Sequence, residues 1–216
     1  MDRHKVSKEE LLAKLGFPVL EPLPKGMTES YIAYKGDSRS VVKIAEKSEE
    51  AKYRNIKNDA DALMLVSDIS GIARILRYEM FSLSNASKWI NLHFHTNLAT
   101  QDYVMFEREY IPGTDIAGFH GIKDFEAIES FRRCILKLHE RGISGLDMIE
   151  WHNDRPDHIY NLIQHQETGQ PYLFDLGRCY LLEQSFKAYN QGIRKDWREF
   201  DLIVDSAYRR PNGINL

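Results

Sequence analysis

The spacing of apolar residues changes period repeatedly along this chain. Residues 7–15 (SKEELLAKL) join a capping-box signature, Ser7 with Glu10 three residues later, to apolar positions at helical spacing. A proline-punctuated stretch, 17–24, reads as extended. Residues 30–34 and 40–45 look like strands and flank Lys35-Gly36-Asp37-Ser38, a hairpin turn. Over 48–67 the period becomes helical, polar at first and then carrying Ala60, Leu63, Met64 and Val66. Residues 72–81 and 102–110 read as strands, with a polar segment between them.

Pro112-Gly113 breaks the chain, and helical character dominates beyond it. Residues 125–141 predict an amphipathic helix stopped by Gly142. Two short strands, 158–164 and 171–174, enclose the turn Glu167-Thr168-Gly169, and a last helix is expected over 195–208. No internal repeat or low-complexity segment interrupts this order. Strands with one helix followed by mainly helical chain predict an α+β fold.

Composition narrows the class. With 43% hydrophobic and 28% charged residues the chain is built like a globular protein, and 216 residues suffice for one domain or two small lobes. A net charge of −3 gives no bulk drive toward nucleic acid or anionic membrane. Cys134 and Cys179 stand far apart and outside any C-x-x-C pair, which fits a reducing compartment and argues against structural zinc. No apolar run approaches the roughly 20 residues of a membrane span, and the N-terminus lacks a signal-peptide core. The expectation is a cytoplasmic protein, which says nothing about delivery into another cell. His93 and His95 alternate as on a strand face, without a third ligand, and read as surface or core-edge residues.

Four short segments carry a common chemistry. Val41-Val42-Lys43-Ile44 resembles the third-strand lysine motif of protein kinases, and Asp175-Leu176-Gly177 resembles their magnesium-binding Asp-Phe-Gly element. Between them, Glu109-Tyr110-Ile111-Pro112-Gly113 is similar to the hinge joining the lobes, and Leu138-His139-Glu140-Arg141-Gly142-Ile143 to the approach to the catalytic loop. Each is weak alone; their order and spacing make the likeness, which covers about residues 23–208. The resemblance implies a bilobal protein-kinase-like fold, with an N-lobe over 1–110 and a reduced C-lobe over 111–216. ATP and Mg²⁺ would bind between the lobes, Lys43 holding the α- and β-phosphates and Asn161 with Asp175 holding the metal. Glu109 and Ile111 would lie at the hinge. Asp61 is the favoured acid for orienting Lys43, with Asp59, Glu49 and Glu50 as alternatives.

The chain departs from the kinase pattern in three places. Its phosphate loop, residues 24–30, has one glycine, Gly26, so the hydroxyls of Thr28 or Ser30 would have to assist. Two aspartates compete as the catalytic carboxylate. Asp147 follows Leu138-His139 at the right distance but lies 14 residues before Asn161. Asp154 ends His152-Asn153-Asp154, which copies the family's His-x-Asp triplet, and is favoured. Finally, only about 40 residues follow Asp175, too few for the helices that dock peptide substrates. Such truncation resembles RIO kinases, bacterial lipopolysaccharide-core kinases and miniature bacterial effector kinases. The expected activity is ATP-dependent phosphorylation of a hydroxyl, on serine or threonine of a protein. A small-molecule or sugar kinase and a pseudokinase acting as a binding module are the alternatives.

Overall fold

The computed structural model describes residues 7–23, 29–84, 100–115, 122 and 124–208. The chain divides into two compact units, Met1–Lys57 with Ile75–Tyr110, and Asn58–Arg74 with Ile111–Leu216.

In the first unit the capping box forms: the Glu10 N–H donates to Ser7 Oγ at 3.1 Å and the Ser7 N–H to the Glu10 carboxylate at 3.3 Å. It starts α1 (Lys8–Lys14), after which come β1 (Val19–Pro22), β2 (Ser30–Lys35), β3 (Ser38–Glu46), α2 (Glu50–Leu65), β4 (Ile75–Ser84) and β5 (Thr100–Glu109). The five strands form an antiparallel sheet in the order β1-β2-β3-β5-β4. Gly36, at φ +59°, supplies the left-handed turn between β2 and β3, where Lys35 pairs with Ser38. One sheet face packs on α1, where Val42, Ile44, Tyr103 and Met105 surround Leu11, Leu12 and Phe17. Lys43 alternates onto the other face, opposite Phe106. Strand β4 starts later than predicted because Ile72 and Ala73 serve the second unit. There Ile72 bridges Leu173, and the Ala73 N–H donates to the Leu173 carbonyl at 2.9 Å.

The second unit continues with β6 (Gly113–Asp115), α3 (Phe125–Glu140), β7 (Ile143–Ser144), β8 (Ile149–His152), β9 (Arg155–Ile159), β10 (Leu162–His165), β11 (Pro171–Leu173), β12 (Tyr180–Leu181) and α4 (Phe186–Tyr208). Asp124 caps α3, its carboxylate accepting the Ala127 N–H at 2.8 Å, and Ile128, Phe131, Ile135 and Leu138 are buried. Gly113 does more than break the chain. It opens β6 against β10, and a Cβ there would fall 2.2 Å from the Gln164 carbonyl oxygen.

Two elements differ from expectation. The hairpin β8–β9 was not anticipated, and residues 158–164 are two strands rather than one. They part at Asn161, whose φ of 57° cannot continue a strand. Helix α4 begins at Phe186, well before residue 195. Ser185 Oγ accepts the Ala188 N–H at 3.2 Å there, and Gly192 inside the helix hides its early turns from a propensity reading. The result is an α+β protein: an N-terminal five-stranded antiparallel sheet with a helix, then helices with small sheets. No described helix is long and apolar enough to cross a membrane.

Candidate functional site

The second unit gathers polar groups around the loop between β7 and β8. Its backbone is held from α4 by two fully buried carboxylates. Asp196 accepts the Gly145 N–H at 2.8 Å and the Leu146 N–H at 2.7 Å, and lies 2.9 Å from His139 Nε2. Glu199 accepts the Met148 N–H and the Trp151 indole N–H, both at 2.9 Å. Burial pushes the Glu199 carboxyl above its ordinary range, opposed by the Trp151 bond and the Lys195 charge. Hydrogen bonds to charged groups are worth about 1.5–3 kcal/mol each, so three backbone N–H groups on two carboxylates fix this loop strongly. Gly145, at φ +70°, makes its turn.

The loop presents Asp147 in the left-handed region, φ 54°, which aspartate and asparagine tolerate better than other side chains. Its carboxylate receives Lys195 Nζ on Oδ1 at 2.8 Å and an Arg178 guanidinium nitrogen on Oδ2 at 3.1 Å. Its carbonyl accepts Asn161 Nδ2 at 3.1 Å. The Asn161 carbonyl in turn accepts the Phe174 N–H at 3.3 Å, immediately before Asp175. Asp175 Oδ1 accepts the Gly177 N–H at 3.0 Å, an Asx turn. That turn is pinned from α2, where buried Asp59 accepts the Leu176 N–H at 2.7 Å and Asn58 Nδ2 donates to the Gly177 carbonyl at 2.9 Å. Nearby Cys179 is no nucleophile, because burial and the surrounding carboxylates push its thiol up to about 12.

The structure thus links Asp147, Asn161 and Asp175, although 14 residues separate the first two. Asp154 is elsewhere. Asn153 and Asp154, at φ 50° and 59°, are the two turn residues of the β8–β9 hairpin, exposed between paired His152 and Arg155. Two positive φ values in a two-residue loop mark a type I′ turn, which favours such residues. His152-Asn153-Asp154, which resembles a catalytic triplet, thus forms part of this hairpin turn. The turn lies about 10 Å along the hairpin from the Ile149–Ile159 pair at its base, at about 3.4 Å per residue.

Among the acids considered for orienting Lys43, Glu49 binds Lys8 and Lys52, and Glu50 binds Arg54. Asp59 and Asp61 are two residues apart, about 200° around the helix, so they face opposite ways. Asp59 reaches the Asp175 turn. In the first unit, Lys43 is only 3% exposed on the central strand, with Nζ 5.5 Å from the Phe106 ring centroid. An edge-strand solubilising charge would be neither central nor buried. Ser30 pairs with Lys43 across β2 and β3. The Glu109 carbonyl, at the end of β5, accepts an Arg108 guanidinium N–H at 3.2 Å, and Ile111 is buried in the second unit. Gly26, Thr28, His93 and His95 lie outside the described residues.

Sequence reading missed the parts played by Lys195, Asp196 and Glu199. Their signal was present: acids at positions i and i+3, and a lysine four residues before Glu199, put three charges on adjoining helix faces. No protein-family model matches the chain, and no curated protein matches it either.

Proposed function

We propose that this chain is an ATP- and magnesium-dependent kinase of the protein-kinase-like fold, acting on a serine or threonine hydroxyl of a protein. One observation carries the reading: the hydrogen-bonded run from Asp147 through Asn161 to the Asp175 turn. Phosphoryl transfer needs a positioned carboxylate for the acceptor, oxygen ligands for magnesium, and a cation for the phosphates. Asp147 supplies the first, in preference to Asp154.

The oxygen chemistry fits magnesium. Donation of Asn161 Nδ2 to the Asp147 carbonyl leaves its amide oxygen available to a hard cation. Among the described residues no group of three or more His, Cys, Asp or Glu side chains could hold a metal. Magnesium accepts that, since it takes one or two carboxylates and completes its shell with water and substrate phosphates. When bound, it would neutralise charge on the β- and γ-phosphates.

In this reading Asp147 orients the acceptor hydroxyl and takes its proton, while Asp59 holds the turn that presents Asp175. Lys43, buried on the central strand of the first sheet, would supply the phosphate cation in this reading.

The test is incubation of the purified chain with γ-labelled ATP and magnesium, with a protein lysate or a metabolite extract. Label on lysate proteins, absent with Lys43→Ala, is expected. Label on metabolites alone would move the activity to the small-molecule class. Binding of magnesium-ATP with no transfer to any acceptor would make the chain a pseudokinase.

A further inference from the structure

The two edges of the first unit's sheet differ. Strand β1 has four residues and closes on Pro22, a short, proline-ended edge of the kind that resists pairing. Strand β4, at the other end of the order, runs ten residues from Ile75 to Ser84 with no proline and no lysine. Among the described residues it pairs with β5 alone, so one side of its backbone has no strand beside it. Leu76 and Met80 are 55% and 58% exposed along it. An edge of this length, with apolar side chains in solvent, is a template for another strand.

The strand carries the same pattern in both directions. Leu76-Arg77-Tyr78-Glu79-Met80 has an aromatic residue at its centre, opposite charges on either side of it, and apolar residues outside those. Arg77 and Glu79 share a face with Phe81, which packs on the α1 cluster. There Arg77 Nε donates to Glu79 Oε1 at 2.8 Å and Nη1 to the Leu15 carbonyl at 2.9 Å. Tyr78 and Met80 alternate onto the other face, where the Tyr53 hydroxyl of α2 donates to Met80 Sδ at 3.7 Å.

We propose that β4 is a homodimer interface, pairing antiparallel with β4 of a second copy about a two-fold axis at Tyr78. The kinase reading plays no part in this. A two-fold axis perpendicular to an antiparallel sheet sets one residue opposite its own copy, so only registers centred on a residue are open. Centring on Arg77 or on Glu79 brings like charges face to face, which is destabilising. Centring on Tyr78 sets Arg77 opposite the partner's Glu79, Glu79 opposite the partner's Arg77, and Leu76 opposite the partner's Met80. A guanidinium has five donors, enough for its own Glu79 and the partner's. Centring on Met80 avoids like charges but sets Glu79 against the partner's Phe81 and makes no ion pair. The register shift on β5 between Ile75 and Arg77 is a bulge, which bends the strand and ends the pairing near Leu76.

Sedimentation velocity of the full chain from about 1 to 100 µM, the range of modest interfaces, should show a passage from one chain mass to two. Glu79→Arg and Met80→Lys should each weaken association at least about tenfold, because two-fold symmetry counts every substitution twice, with melting within a few degrees of wild type. Arg77→Glu should also be monomeric, and an equal mixture of Arg77→Glu with Glu79→Arg should regain the dimer, since a chain with two acids then meets one with two bases. Tyr78→Cys gives a readout without charge reversal. At the axis the two Cα atoms lie about 4.5–5.5 Å apart, within disulfide range, so mild oxidation should join the chains. Met80→Cys should not cross-link, its copies being about 13 Å apart along the strands. The native Cys134 and Cys179 are buried and do not compete. A dimer indifferent to Glu79→Arg, or cross-linking by Met80→Cys in place of Tyr78→Cys, overturns the proposal. A wild type monomeric throughout overturns it as well and leaves the edge to a strand of another protein.

Discussion

At the scale of single residues, Asp147 and Asp154 share a side chain and a left-handed backbone, and their neighbours separate them. Asp147 touches Lys195, Arg178 and Asn161, whereas Asp154 is one of two exposed turn residues. Asp147→Asn should lower kcat by 10²–10⁴-fold, the usual range for a group that takes a proton in the transition state, with little change in nucleotide affinity. Asp154→Asn should stay within twofold, because asparagine suits a type I′ turn equally well. Steady-state kinetics at saturating ATP with separate binding titrations decide it, and the reverse pattern would return the assignment to Asp154. The sequence offered Asp154 first and Asp147 second, with Asn161 and Asp175, and the structure connects the last three. What the sequence hid was the hairpin lying between two groups in contact, 14 positions apart in sequence. In the first unit, Glu49 gives a pH prediction. Burial raises its pKa, but hydrogen bonds from Lys52 and Lys8 outweigh this and hold it at about 2, below the usual 4.5. A depressed carboxyl adds stability that is complete above the unfolded value and lost as pH falls through the folded one. Glu49→Gln should therefore cost about 1 kcal/mol at neutral pH, given the exposure of these pairs, and its penalty should fade between pH 4.5 and 2. Paired urea titrations at pH 7 and pH 3 measure this; a penalty that grows toward acid would contradict it.

Among elements, α4 has the largest hold on the site, and it was the least legible from periodicity. Its register is set by contact. A Cβ on Gly192 would fall 2.3 Å from Ser144 Oγ and 2.7 Å from the Gly145 nitrogen, so only glycine lets the helix approach the loop this closely. In an isolated helix Gly→Ala would stabilise by about 1 kcal/mol. Here overpacking, at about 1–3 kcal/mol, opposes it and strikes backbone that cannot swing aside. Gly192→Ala should come out destabilised or neutral and lose far more activity than stability, because the displaced residues lead into Asp147. A variant more stable than wild type and fully active would show that the loop yields freely. Asp196→Ala is the harsher change, leaving the Gly145 and Leu146 N–H groups without their buried acceptor. At about 1–3 kcal/mol per orphaned donor, and about 2–4 °C per kcal/mol, melting should fall by roughly 5–20 °C. Periodicity revealed α3, whose buried face is continuous, and much of the first sheet. It failed for β8–β9, where Pro156 and three charged residues interrupt the alternation, and for the start of α4, where a glycine needed for contact looks like a break.

For the molecule as a whole, the α+β order was legible because the chain changes period where the architecture changes. The boundary between units was harder to see: Asn58–Arg74 belongs with the C-terminal half, although it precedes two strands of the first sheet. The transition shows in α2 itself, whose Asn58 and Asp59 bond to residues more than a hundred positions away. The proposed function has a thermodynamic signature. A ligand bound only by the folded state at 100 times its Kd adds about 2.7 kcal/mol, roughly 5–11 °C in melting temperature for a chain of this size. Magnesium-ATP should raise melting by that amount, and ATP with EDTA by much less, because in the proposed reading Asp175 and Asn161 would hold the nucleotide through the metal. Lys43→Ala and Asp175→Asn should each lose most of the shift, each measured against the same variant without ligand. Differential scanning calorimetry on the full chain distinguishes the outcomes. If Asp175→Asn keeps the whole magnesium-dependent shift, that carboxylate does not hold the metal. If wild type shows no shift at millimolar magnesium-ATP, the chain does not bind the nucleotide, and the kinase reading fails before any assay of transfer.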